Sequence, residues 1–114
     1  VGNKPTLLYG QLENIVLTEL LSRRYSVSIG KNKEKEIDFI AVRGNEKLYI
    51  QVCKTLLPDG VVEREYGSFL GLNDHYPKLV LSLDTIDFGI NKDGVKWMNI
   101  IDFILQLDIH TGVV

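Results

Sequence analysis

Two residues interrupt apolar stretches of the chain in a way that calls for partners. Asp38 lies between Ile37 and Phe39, Gln51 lies between Ile50 and Val52, and Cys53 follows two positions later. A polar group buried without a partner costs about 1–3 kcal/mol, so Asp38 and Gln51 are expected to be paired, bound to an ion, or placed near a sheet edge. Period-two alternation puts Gln51 and Cys53 on one face of a strand. Glu13, one turn into the first predicted helix, joins them if that helix packs against the same face. Structural pairing is the plainer use of Asp38, Gln51 and Glu13. A small buried apolar role is the plainer use of Cys53, which has no histidine near it in sequence.

The elements that must hold these residues follow from the apolar spacing. Residues 12–24 (LENIVLTELLSRR) carry apolar side chains at 12, 15, 16, 17, 20 and 21, the recurrence of an amphipathic helix, with Arg23 and Arg24 in its last turn. Residues 25–29 alternate as a strand, and 30–34 (GKNKE) read as a polar turn. Residues 36–42 and 47–52 flank Arg43-Gly44-Asn45-Glu46, which predicts two antiparallel strands joined by a hairpin. After the turn Pro58-Asp59-Gly60, residues 61–72 have helical spacing interrupted by Gly67 and Gly71. Residues 78–83 (KLVLSL) form a short apolar run suited to a central strand buried on both faces. Trp97 and Met98 are expected to close a short edge strand, and residues 99–107 (NIIDFILQL) a final helix. This order predicts the α/β class, a three-layer α/β/α sandwich with a mixed sheet.

Composition narrows the function classes. With 114 residues the chain holds one core, and its 45% hydrophobic and 25% charged content is that of a folded domain. A net charge of −2 gives no global attraction to phosphate backbones, so any contact with nucleic acid must be local. A single cysteine rules out an internal disulfide and a Cys-rich zinc site and suits a reducing cytoplasm. No apolar run approaches the ~20 residues that span a bilayer, so no membrane partner is expected. The chain opens on Val1 with no basic and apolar leader, which reads as a piece of a longer protein. Residues 1–10 are read as a residual linker from a preceding module, 11–107 as the domain and 108–114 as a tail.

The helix residue Glu13, the strand stretch Glu36-Ile37-Asp38-Phe39 and, after the hairpin, residues 49–54 (YIQVCK) together resemble the core of PD-(D/E)XK nucleases. The resemblance implies a restriction endonuclease-like fold. In it the strand aspartate and the next acidic position ligate Mg²⁺, and a lysine two positions on orients and activates the attacking water. Asp38 stands at the aspartate position, Gln51 at the acidic position, Cys53 at the lysine position, and Glu13 as the helix carboxylate. Asp38, Gln51 and Glu13 are then the implied metal ligands. Mg²⁺ accepts a carbonyl oxygen, but losing one negative charge forfeits about 4 kcal/mol per unit of cation charge at 4 Å and an effective dielectric of 20. Cys53 is the larger departure, because a thiol beside carboxylates is neutral or anionic and never supplies an ammonium's charge. Lys54 points to the opposite face of a regular strand, so only a bulge or a shifted geometry would bring it in.

A closer resemblance runs over roughly residues 10–105, most specifically at 12–16, 35–41, 49–53, 64–67 and 76–84. There the chain is similar to the uncharacterised C-terminal domain that follows the ATPase module in many prokaryotic AAA-type ATPases, and a cysteine after Gln51-Val52 is typical of that group. The resemblance implies an ATP-binding N-terminal module in the natural protein. This chain has no GxxxxGK[ST] phosphate loop of its own. The implied function is a noncatalytic accessory domain that packs on its own ATPase module or recruits a protein partner or nucleic acid to it. The alternatives are an Mg²⁺-dependent nuclease and a pure protein-interaction module.

Other features have plainer uses. His75 sits in a polar loop and is expected to be solvated, and His110 lies near the chain end. Arg23, Arg24, Lys31, Lys33 and Lys35 are interleaved with Glu34 and Glu36, as on a solvated surface. Tyr66, Phe69 and Leu70 read as core by their spacing, with a partner patch as the alternative.

Overall fold

The computed structural model describes residues 10–86 and 94–108. The residues read as linker lie outside that range apart from Gly10, as do His110 and the rest of the tail after Asp108. Helix α1 (Gln11–Ser22) leads into strands β1 (Ser26–Asn32), β2 (Lys35–Arg43) and β3 (Glu46–Val52). Helix α2 (Val61–Gly67), β4 (Lys78–Ser82), β5 (Val95–Asn99) and α3 (Ile100–Asp108) complete the described elements. The five described strands form a mixed sheet in the order β1-β2-β3-β4-β5. The pairs β1–β2 and β2–β3 are antiparallel, while β3–β4 and β4–β5 are parallel.

Both sheet faces are covered. Val16 and Leu20 of α1 and Ile100 and Phe103 of α3 pack with Phe39, Ala41, Ile50, Val52, Leu79 and Leu81. On the other face Val61 and Tyr66 of α2 pack with Ile37, Tyr49, Val80 and Val95. Each large apolar side chain so buried contributes about 1.5–3 kcal/mol relative to exposure, which sets the layered arrangement. All five residues of β4 are buried, as expected of an interior strand. One of them is Lys78, whose Nζ reaches Asp74 Oδ1 at 2.7 Å and Tyr76 O at 2.8 Å. Asp74 also accepts the Tyr49 hydroxyl, so the loop before β4 is pinned to β3.

Several predicted boundaries shift for identifiable reasons. Arg23 and Arg24 lie past α1 rather than in its last turn: Arg23 is the C-cap and Arg24 takes a left-handed φ of 70°. The guanidinium of Arg43 donates to Arg23 O at 2.9 Å and holds that end. The predicted polar turn at 30–34 is mostly strand, with Asn32 paired to Lys35 and only Lys33 and Glu34 between them. Asn32 is retained there by donating to Ser68 O and Leu70 O, which secures the segment after α2 to the first hairpin. Helix α2 stops at Gly67, well short of Leu72, and Leu70 is exposed, while Tyr66 and Phe69 are core. Asn99 ends β5 and caps α3 by accepting from the N–H groups of Ile101 and Asp102, the usual service of an N-cap asparagine.

One irregularity governs the site. Ser28 pairs with Ile40 and Gly30 with Ile37, so Asp38 and Phe39 together oppose Ile29. This β-bulge in β2 breaks the alternation, sending Ile37 to the α2 face and Phe39 to the α1 face. Gly30 makes room for it: a Cβ there would collide with the Ile40 side chain and lie 3.2 Å from Ile37 Cβ. Gly30→Ala is therefore expected to lower stability by about 1–3 kcal/mol in urea unfolding, the cost of overpacking a tight core position.

Candidate functional site

The ladder between β2 and β3 runs from Arg43–Glu46 to Phe39–Ile50, and there the strands part. Beyond that point β2 pairs with β1, and β3 pairs with β4 through Val52–Leu81. Side chains bridge the fork. The Gln51 Oε1 accepts the Asp38 N–H at 2.5 Å, and Asp38 Oδ2 accepts the Val52 N–H at 2.9 Å. Each residue thus bonds to the backbone of the other strand, taking the place of ladder bonds that the separating chains cannot make.

Gln51 is only 6% exposed and its side chain faces α2. Its amide Nε2 donates to Ser68 Oγ at 3.1 Å and to Glu65 Oε1 at 3.4 Å. The direction of the amide follows from chemistry, since a backbone N–H only donates and must meet the oxygen end. One glutamine therefore ties β2, β3 and α2 together, its amide N–H donating to the Glu65 carboxylate as a second carboxylate would not.

Around this link lies a group of half-buried acids. Burial, and then the charge of Asp38, push the Glu65 carboxyl up to about 7; Arg64 opposes and Glu13 adds to the rise. Burial also drives the Cys53 thiol up to about 12, with Glu65, Asp84 and Asp38 adding to it and Arg64 opposing. Cys53 is thus a neutral thiol at neutral pH, packed beside the α2-face core. Asp84 is a fixture of the adjoining loops, accepting from Thr55 Oγ1 at 2.6 Å, Leu56 N at 2.8 Å and Ser82 Oγ at 2.7 Å.

Asp38 and Gln51 are brought together as the sequence suggested. Glu13 arrives by a different route, because α1 packs on the opposite face from Gln51. Its carboxylate folds back over Gly10, where an added Cβ would strike Oε1, yet it lies close enough to Glu65 to influence its protonation. Lys54 follows the end of β3 and is exposed, its carbonyl accepting the Leu83 N–H. The bulge at the fork lies in β2 and leaves Lys54 outside. Sequence reasoning on the site residues passed over Arg64, Glu65, Ser68 and Asp84. Arg64, Glu65 and Asp84 lie in the stretches 64–67 and 76–84 that carried the closer resemblance.

The sole acceptor atom of Gln51 is turned onto the Asp38 N–H, one Asp38 oxygen is on the Val52 N–H, and a neutral thiol occupies the lysine position. Among the described residues no group of three or more His, Cys, Asp or Glu is placed to hold a metal ion.

Comparison with known proteins adds one relative. The chain is 37% identical over 106 residues to an uncharacterized protein of Haemophilus influenzae. The match takes in 93% of this chain and 26% of that protein, so the chain spans about a quarter of the relative's length. No family model matches the chain, and no solved structure does.

The raised Glu65 carboxyl has a testable sign. Its ordinary value is 4.5 and its folded value about 7, so the folded state holds this proton more tightly than the unfolded one. Stability from this group is full below about 4.5 and declines as pH rises through 7. Glu65→Gln keeps an acceptor for Gln51 and removes the charge. It should match the parent chain near pH 4.5 and exceed it at pH 8 by on the order of 1–3 kcal/mol in urea unfolding.

Proposed function

We propose that this chain is a noncatalytic accessory domain with a restriction endonuclease-like core, carried by an AAA-type ATPase and docked on its ATPase module or on a partner recruited to it. The observation that carries the reading is the orientation of Gln51. At the position where the resembling nucleases hold a metal-binding acid, this chain has an amide whose oxygen and nitrogen are both spent on internal bonds. Cys53 supplies no positive charge to an attacking water. The order helix, three antiparallel strands, helix and parallel strand supports the nuclease-like core.

Support for docking comes from the helical face. Ile101 and Leu105, one turn apart on α3, are 56% and 55% exposed, and Ile15 of the neighbouring α1 is 47% exposed. The Haemophilus relative extends well beyond the matched stretch, which leaves room for a further module in that protein. Among the described residues no helix is long and apolar enough to cross a membrane.

Calorimetric titration with Mg²⁺ or Mn²⁺ tests the catalytic half of the reading. A silent trace is expected for the unaltered chain. Heat that Asp38→Ala abolishes would overturn the proposal in favour of the Mg²⁺-dependent nuclease. For docking, the paired change Ile101→Asp and Leu105→Asp should leave the melting temperature within a few degrees, since both side chains are exposed. It should also weaken retention of this domain by the separately produced remainder of its parent protein by at least about ten-fold, the effect of removing an apolar anchor. Equal retention would remove α3 from the docking face.

A further inference from the structure

A cavity of about 460 Å³ opens at the end of the sheet away from the Asp38–Gln51 fork, where β3, β4 and β5 begin. Its floor is made by Leu48, Leu79 and Met98, which project from β3, β4 and β5 toward the α1–α3 face, and Phe103 of α3 forms a wall. Helix α3 leaves this part of the face uncovered, so the partly exposed Leu48 and Met98 meet solvent inside a recess. The size falls within the ~300–1,000 Å³ of sites that enclose small molecules, and the lining has their character of an apolar body with few polar groups.

At the rim, Glu46 Oε1 accepts from Arg43 at 2.8 and 3.0 Å and from the Tyr25 hydroxyl at 3.3 Å, so its charge is offset by the guanidinium. The Lys47 ammonium turns to the other face of β3, 5.1 Å from the Tyr49 ring centre and 5.4 Å from that of Tyr76. Lys96 projects from the same face of β5 as Met98, is exposed, and forms no ion pair among the described residues. An occupant that offers apolar bulk to the floor and negative charge to Lys96 matches this lining.

We propose that this cavity binds a small amphipathic organic anion, an aromatic or aliphatic carboxylate or sulfonate whose apolar body rests on Leu48, Leu79 and Met98 while its anionic group meets Lys96. The site is independent of the nuclease-like cluster, and nothing in its chemistry needs a metal.

Two fluorescent probes of the same shape test it: 8-anilinonaphthalene-1-sulfonate and N-phenyl-1-naphthylamine, which lacks the sulfonate. The sulfonate should bind the folded chain at one site, more tightly than the neutral probe, and decanoate should displace it. Lys96→Glu should weaken the sulfonate by about five-fold, the scale of reversing one exposed charge, and leave the neutral probe unchanged. Met98→Trp should fill the recess and reduce both. The proposal is overturned if the two probes bind alike, if decanoate fails to compete, or if Lys96→Glu binds the sulfonate as the parent does. Lys96 is a surface residue, so its variant decides the matter even if the Met98 variant does not fold.

Discussion

Asp38 and Gln51 each reach across the parting of β2 and β3 to a backbone N–H of the other strand. The antiparallel β2–β3 ladder ends at Phe39–Ile50 while the parallel β3–β4 ladder runs on to Val52–Leu81, which leaves amides at the opening, and buried amides without acceptors are costly. Two side chains meet that need. The bulge in β2 is part of the same solution, because the extra residue re-aims Asp38 while letting Ile37 and Phe39 fill cores on opposite faces. Helix α2 is drawn in through the free end of the Gln51 amide, and the first hairpin secures the segment after it through Asn32. Position, layering and helix docking thus meet at one crossing.

The same crossing sets the electrostatics. Glu65 comes beside Asp38 and Glu13 because α2 must approach Gln51, and burial, with the charges of Asp38 and then Glu13 adding to it, raises its carboxyl to about 7. Burial raises the Cys53 thiol, and the acids beside it add to that rise rather than activate it. A glutamine suits this setting better than a carboxylate: it adds no charge to an already acidic group and supplies a donor to Glu65 and Ser68. In the proposed reading, positions that bear a metal in the nucleases this chain resembles serve here as a structural joint.

Much of this was legible in the residues. Asp38 and Gln51 stood out because polar groups within apolar runs require partners, and the hairpin at 43–46, the buried strand at 78–82 and the final helix follow from turn chemistry and apolar spacing. What the residues did not disclose was three-dimensional bookkeeping. Gly30 reads as a turn residue by propensity, yet it lies in β1 because Ile40 and Ile37 crowd its α-carbon. Glu65 carries no signal in the apolar spacing of its helix, yet α2 is turned so that it meets the Gln51 amide. Lys78 opens the run read as a doubly buried strand, and its acceptors there, Asp74 and two carbonyls, come from the preceding loop.

The central claim is that Asp38 and Gln51 substitute for backbone pairing at the fork. Hydrogen exchange of individual amides measures this most directly. The Asp38 and Val52 amides should exchange as slowly as those of the β2–β3 ladder, and Gln51→Ala should speed Asp38 by at least about ten-fold beyond any global loss of stability. Fast exchange at Asp38 in the unaltered chain, or no selective change in the variant, would contradict the account.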